Sequence, residues 1–289
     1  MSNSDPVSPL RLDQKIVELI PELSRAFASK LIAGGKVKVN GEIITKSGYK
    51  LHIKDKIKVD FDAAELKAIP AIDIPIIYED DDCVVIDKPV GVLSHSKGTF
   101  NPEATVASWL SPKFQGEGSD RAGIVHRLDR ATGGVMIGAK NQAAALWLQK
   151  QFSQRKVKKS YKAIVVGRPD PPEAIIDMPI ERNPKAPATF RVGTSGKPAI
   201  THYLVEASSD RYSLLGLSPQ TGRTHQLRVH LNQIGYPIVG DNFYGGEPAD
   251  RLYLHAYKLE ITLPSHTRQV FTAELPASFN RKMKQPWPS

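Results

Sequence analysis

Two segments hold the residues whose types and spacing could do chemistry. The first, Gly123 to Val135 (GIVHRLDRATGGV), sets Asp129 between Arg127 and Arg130 and then runs into Ala131, Thr132, Gly133 and Gly134. Cations on either side favour the ionised form of a carboxylate. An ionised, fixed carboxylate can act as a nucleophile at a sugar carbon or at an electron-poor base. Taken alone, the same string would also serve as a surface loop carrying an Asp–Arg pair. The second segment, Leu217 to Leu231 (LSPQTGRTHQLRVHL), reads as a helix that starts after Gly222. Leu227 and Leu231 would turn inward, leaving Arg223, His225 and Arg228 for polar work.

Other common chemistries lack their residues. There is no G-x-x-x-x-G-K-[ST]; the run GTSGK from Gly193 to Lys197 lacks the spacing and ends at Pro198. No G-x-G-x-x-G follows a strand and no H-E-x-x-H occurs. His225 and His230 are five apart with no Glu between them, so the i, i+4 zinc pair is missing. The one cysteine, Cys83, excludes a disulfide framework and a four-thiolate site. Its apolar strand context predicts a buried, inert thiol.

The elements around these segments must position them. Ile124-Val125 and Val135-Met136-Ile137 read as buried strands that would fix the Asp129 loop at both ends. Val84-Val85-Ile86 is a short apolar strand, with Asp87 to Gly91 turning out of it. Val106 to Leu110 reads as a short helix, and Gln142 to Phe152 as a longer one rich in strong formers. Tyr161 to Val166, Ser213 to Leu217 and Leu252 to Leu254 read as strands. Leu259 to Leu275 reads as a hairpin around Pro264-Ser265-His266. Helices and strands mix without a βαβ rhythm, which predicts an α+β fold with a largely antiparallel sheet.

The N-terminal part has a different pattern. Residues 1–10, rich in Ser, Pro and Asn, read as a disordered arm. Leu12, Ile16, Leu19 and Ile20 repeat at helical spacing until Pro21 stops them. Ser24 then caps a second helix with Phe27, Leu31 and Ile32 on one face. Gly34-Gly35 closes it, and Lys36 to Val39 alternates as a strand into an Asn40-Gly41 hairpin turn. Glu42 to Ile44 returns, and Ile53, Ile57 and Val59 supply a further strand with Lys54, Lys56 and Lys58 on its other side. Arg25 and the lysines are left facing water. Residues 62–75, broken by Pro70 and Pro75, read as a linker.

The chain has 289 residues, with 39 Lys+Arg against 30 Asp+Glu, a formal charge of +9. A polyanion is the expected partner of such a balance. Seven cations and no acid fall between Lys150 and Arg168, among them Lys158 and Lys159. They read as a track for a polyanion's backbone. The length supports a full core without metal or disulfide. A single cysteine, no secretory leader pattern and no apolar run of membrane length predict a cytoplasmic protein without membrane contact.

Residues 11 to about 60 resemble the S4-like RNA-binding domain, through RLDQ at 11–14, SRAFASKLI at 24–32 and GKVKVNG at 35–41. That resemblance implies RNA contact by the second helix and following strand, hence Arg25, Lys30, Lys36 and Lys38. From about residue 75 the chain resembles the RluA-type pseudouridine synthases. The matching runs are YEDDDCVVIDKPVGVLSHS at 78–96, HRLDRATGG at 126–134, SYKAIVVG at 160–167, TGRTHQLRVHL at 221–231 and GYPIVGDNFYG at 235–245, in the family's order. Two positions depart from the pattern: the family usually has Ser where Gly133 stands and often Ala where Val90 stands.

The resemblance implies isomerisation of a uridine inside an RNA chain, with no cofactor and no metal. Asp129 matches the essential aspartate, which either attacks C1′ or assists a glycal-like intermediate by proton transfer. Arg228 matches the arginine that pairs with it. Tyr161 matches the tyrosine that stacks on the target base, with a hydroxyl available for proton transfer. Arg127 matches the arginine that enters the stack where the uridine has left, recovering part of the extrusion cost of a few kcal/mol. Arg130, Arg223, Lys158 and Lys159 are further RNA-binding candidates. The expected division is an arm at 1–10, an S4-like domain at 11–61, a linker at 62–75 and a catalytic domain at 76–289. The expected substrate is large-subunit ribosomal RNA, with transfer RNA as the alternative. A non-catalytic ribosome-assembly protein is the reading from another class. A monomer is expected. A pure binder has no physical need for a carboxylate in a pocket meant for phosphate, which it repels.

Overall fold

The computed structural model of the chain describes residues 10–21, 23–61, 71–96, 103–116 and 123–286. The expected arm, apart from residue 10, and residues 62–70 of the expected linker lie outside them. The chain divides into two units, Met1–Ile72 with His95–Trp109, and Asp73–Ser94 with Leu110–Ser289. The segment His95–Trp109, placed by the sequence in the catalytic domain, thus groups with the first unit.

The first unit begins with α1 (Leu12–Leu19) and α2 (Arg25–Ala33). Leu12 and Ile16 are fully buried, as helical spacing requires. Ser24 Oγ accepts the Phe27 N–H at 3.1 Å and starts α2. Gly35, at φ +71°, takes the left-handed turn that ends it. A three-stranded sheet in the order β2–β1–β3 follows: β1 (Val37–Val39), β2 (Glu42–Ile43) and β3 (Ile57–Val59). Asn40 and Gly41 have φ of 52° and 92°, the double positive φ that a tight antiparallel turn needs. Val37 and Val39 join Leu12, Ile16, Leu23, Ala28, Ile32 and Leu51 in one core. Ile53 corrects the sequence reading: it lies in a turn before β3 and is fully exposed. Most of the short α3 (Val106–Leu110) also falls in this unit.

The second unit is built on one large sheet. Its strands are β4 (Ile76–Glu79), β5 (Cys83–Lys88), β6 (Gly133–Ala139), β7 (Lys158–Val166), β8 (Glu173–Asp177), β11 (Ile200–Ser208), β12 (Tyr212–Pro219), β13 (Leu254–Thr262) and β14 (Arg268–Thr272). A small hairpin, β9 (Ile180–Arg182) with β10 (Phe190–Val192), stands off it. Helices α4 (Gln142–Ser153), α5 (Gln226–Gln233) and α6 (Ala277–Met283) complete the unit. The order across the sheet is β4–β5–β6–β13–β7–β12–β11–β8, with β14 on β13. Every pairing is antiparallel except β6 with β13. The fold is therefore α+β with a mostly antiparallel sheet.

Four elements differ from their sequence reading in ways that bear on the site. Asp87 and Lys88 continue β5 instead of turning out of it. Ile124 makes an isolated bridge to Gly138, and Val125 is in no strand, so only the C-terminal end of the Asp129 loop is a core strand. The strand before Tyr161 starts three residues earlier, at Lys158, and Leu252 precedes β13 instead of lying in it.

The parallel contact of β6 with β13 depends on Gly134. Its φ is 115°, and a Cβ there would lie 2.2 Å from the Ala256 carbonyl. Cys83 is buried, and burial, then Asp80, pushes its thiol well above the ordinary range. Among the described residues no helix is long and apolar enough to cross a membrane.

Candidate active site

A cleft of about 750 Å³ in the second unit is lined by Arg127, Asp129, Tyr161, His225 and Arg228, and also by Lys159 and Arg223. The Asp129 loop is set by local hydrogen bonds. Ser94 Oγ donates to the Leu128 carbonyl at 2.8 Å and accepts the Leu128 N–H at 3.0 Å. The Gly91 N–H donates to the Arg130 carbonyl at 2.8 Å, and the Thr132 N–H to the Asp129 carbonyl at 3.0 Å. Lys88, fully buried, pins the 89–92 turn by donating to the carbonyls of Pro89 and Val92 at 2.9 and 2.7 Å. Burial pulls its pKa down to about 8, with the Asp129 charge opposing.

Arg228 comes from the first turn of α5. The turn before it is held by buried Gln226, whose Oε1 accepts the Thr221 hydroxyl at 2.7 Å and the Arg223 N–H at 3.0 Å. The helix starts later than the sequence suggests because His225 takes a left-handed φ of 57°. Arg228 Nε and Nη2 each donate to Asp241 at 2.7 Å, while Nη1 lies 3.5 Å from Asp129 Oδ2. Burial opposes the guanidinium charge, but Asp241, then Asp129, outweighs it and holds the pKa above its ordinary value. Asp241 Oδ1 also accepts the N–H groups of Phe243 and Tyr244 at 3.1 and 3.2 Å. The fork is therefore fixed by a fully buried carboxylate, and the Asp129 side chain, 21% exposed, meets its free edge. The cation facing Asp129 is Arg228, not the sequence neighbours expected to hold it.

The remaining candidates divide between this cleft and other places. Arg127 is exposed at the cleft. Arg130 donates weakly to the Gly91 carbonyl at 3.5 Å, and Arg223 Nε donates to the Pro198 carbonyl at 3.0 Å. Tyr161 sits between β12 and β13, opposite Leu217 and Ala256. Burial, then the Asp129 charge, raises its hydroxyl above the ordinary phenol range, so it is a hydrogen-bond donor at neutral pH and not a base.

The seven-cation stretch is not one track. Strand alternation puts Lys159 and Tyr161 on the cleft side. Lys158 pairs with Glu260 at 3.2 Å and Lys162 with Glu206, outside the cleft lining. Lys159 Nζ donates to the Thr221 carbonyl at 3.1 Å, and burial lowers its pKa to about 8. In the first unit, Arg25 pairs with buried Asp13 at 2.8 Å, Lys30 with Glu103 at 3.0 Å and Lys36 with Asp60 at 3.6 Å. Lys38 is exposed and directly opposite Lys58.

Asp241, Phe243 and Tyr244 lie in the run GYPIVGDNFYG, and the sequence reading gives them no role. The signal was an Asp followed by two residues whose N–H groups can turn back onto it, an Asx-type turn. Among the described residues no three His, Cys, Asp or Glu side chains gather so as to hold a metal. A positioned carboxylate beside a guanidinium, a partly buried tyrosine and an exposed arginine can act on a flat base and its sugar.

The family model for RNA pseudouridylate synthase matches residues 82–233, and that for the S4 domain residues 10–57. A ribosomal large subunit pseudouridine synthase D of Vibrio parahaemolyticus is 38% identical over 239 residues, covering 82% of this chain and 73% of the relative. An uncharacterized RNA pseudouridine synthase of Aquifex aeolicus is 38% identical over 242 residues, with coverage of 81% and 77%. The human RNA pseudouridylate synthase domain containing 4 structure superposes with a TM-score of 0.59 at 28% identity, covering 74% of this chain and 95% of that one.

Proposed function

The chain belongs to the RNA pseudouridylate synthase family, and on that premise we propose that it isomerises uridines of large-subunit ribosomal RNA through Asp129. The observation that carries the role of Asp129 is its carboxylate at 3.5 Å from an Arg228 that is itself locked by Asp241, in a cleft with Tyr161. The ribosomal assignment is supported by the S4 domain and by the relative named for the large ribosomal subunit.

The target uridine leaves the stack, and Arg127 takes its place. Tyr161 covers the base. Asp129 then acts at the sugar, either by bonding to C1′ or by taking a ribose proton on the way to a glycal. On the first route the N1–C1′ electron pair stays on uracil N1 as the Asp129 oxygen bonds to C1′. The base turns, C5 attacks C1′ and releases the carboxylate, C5 loses its proton and N1 gains one. No atom or electron is lost, so no oxidant or co-reactant enters.

Mapping pseudouridines in ribosomal and transfer RNA from cells with and without this protein tests the substrate. Disappearance of large-subunit sites is expected. Loss confined to transfer RNA, or no loss, would refute the ribosomal assignment.

Two further outcomes follow from the surfaces. Tyr161→Ala should cost about 1–3 kcal/mol of base stacking, read as weaker binding and slower turnover; no change in either would remove Tyr161 from the base site. Lys38→Ala should reduce the salt slope of RNA binding by about one phosphate contact. It should leave the melting temperature equal or slightly higher, because Lys38 faces Lys58 across the sheet and like charges there repel. An unchanged slope in a salt titration would take Lys38 off the RNA.

A further inference from the structure

His225 and Tyr244 form a pair whose hydrogen atoms can be placed. The Phe190 backbone N–H donates to Tyr244 Oη at 2.9 Å. The same oxygen lies 2.8 Å from His225 Nδ1. Burial raises the Tyr244 hydroxyl above its ordinary pKa, so the phenol keeps its proton. With Phe190 donating into the oxygen, the acceptor in line for that proton is His225 Nδ1. Burial also lowers the His225 pKa, against the pull of Asp129, so the ring is neutral. A neutral imidazole that accepts at Nδ1 carries its hydrogen on Nε2.

The other end of the ring gives the same answer independently. His225 Nε2 lies 3.8 Å from Asp129 Oδ2. With the hydrogen on Nδ1 instead, two lone pairs would face each other there. Arg228 Nη1 approaches the same oxygen, at 3.5 Å. These separations exceed hydrogen-bond length, as is common before substrate tightens a site.

The ring is also held rigidly. Its backbone is in the left-handed region, at φ 57°, a sparsely populated conformation that persists where surroundings enforce it. Phe243 stacks on it at 6.2 Å, and Phe190 and Tyr244 meet it edge-on at 5.6 and 5.7 Å.

We infer that His225 is a positioning residue for Asp129, fixed by Tyr244 with its proton on Nε2, and that His225 and Arg228 together hold Oδ2 and leave Oδ1 as the oxygen that meets the ribose. This inference rests on Asp129 as the reacting carboxylate. It adds which of its two oxygens reacts and what selects it.

The test uses the full chain and in vitro transcribed large-subunit ribosomal RNA tritiated at uridine C5, since isomerisation releases that hydrogen. His225→Ala should lower kcat by about 100-fold, the scale of a small misplacement of a reacting group, with KM within about threefold. His225→Gln returns an N–H donor near the Nε2 position and should recover at least about tenfold of that loss. Nitrogen-15 spectra of histidine-labelled protein, with His225 assigned through the Gln variant, should show Nε2 protonated in the wild type. Tyr244→Phe should abolish that preference. Wild-type kcat in the Ala variant, equal impairment in Ala and Gln, or an Nδ1 proton in the wild type would each overturn the inference. If the Ala variant does not fold, the wild-type spectrum decides. If the wild type releases no tritium from this RNA, the substrate assignment fails, and the spectrum still judges His225 separately.

Discussion

Asp129→Ala is expected to stop pseudouridine formation, lowering turnover by about 10⁴-fold or more, as when an essential group is removed and only binding remains. RNA affinity should survive. The carboxylate makes no attractive contact with a phosphate, and its removal takes one negative charge out of a polyanion's path. The fold should survive too, because Arg228 keeps both 2.7 Å bonds to Asp241 when Asp129 is gone. Three measurements separate these effects: tritium release from C5-labelled RNA, a binding isotherm at fixed salt, and a melting curve. Asp129→Asn controls for shape, since it keeps the volume and loses the charge, and it should be nearly as inactive. Activity within tenfold of wild type in either variant would mean that another group does the chemistry. Lost activity together with lost binding would point to a docking role instead.

How much of this was legible in the sequence depended on the range over which each feature is decided. The Ser24 cap, the Asn40-Gly41 turn and the alternation of Val37, Lys38 and Val39 are set by neighbours a few residues apart, and the structure has them where the sequence placed them. The Asp129 loop was legible as a candidate, but its partner could be named only through the family resemblance and not from the residues around it. Arg127 and Arg130 are adjacent in sequence, yet the guanidinium at the carboxylate arrives from α5, almost a hundred residues later, by way of a sheet that no local pattern specifies. The basic stretch divides in a way its composition does not show. Starting the strand at Tyr161 hid the two-residue period through Lys158, Lys159 and Lys162, which sends one lysine into the cleft and two into ion pairs elsewhere.

The two departures from the family pattern became intelligible only in three dimensions. A Cβ on Gly133 would lie 3.1 Å from Val90 Cγ2. The Lys88 carbonyl would be equally close, at 3.1 Å, so a side chain at Gly133 would press on backbone as well as on Val90. The two departures are thus neighbours in space beside the start of β6.

The second large effect is expected at Asp241, which never meets the substrate. Asp241→Ala leaves the Arg228 guanidinium buried with Asp129, at 3.5 Å, as its remaining carboxylate among the described residues. Stranding one member of a buried ion pair costs about 3–5 kcal/mol. The N–H groups of Phe243 and Tyr244 lose their acceptor as well, and for the buried one, Tyr244, that costs about 1–3 kcal/mol. For a unit of this size each kcal/mol moves the melting temperature by about 2–4 °C, so a drop of ten degrees or more is expected. Asp241→Asn keeps an oxygen for both N–H groups and should lose markedly less. The decisive variant removes the pair together. Arg228→Met with Asp241→Leu strands no charge, and replacing a buried pair by apolar groups is often neutral. It should recover most of the lost stability except the two N–H bonds. It should remain inactive, because nothing is left to hold Asp129. A double variant as unstable as Asp241→Ala would show that Asp241 works through the Phe243–Tyr244 turn alone. A double variant that is stable and active would show that the guanidinium is dispensable to the chemistry, and the assignment of Arg228 would fall with it.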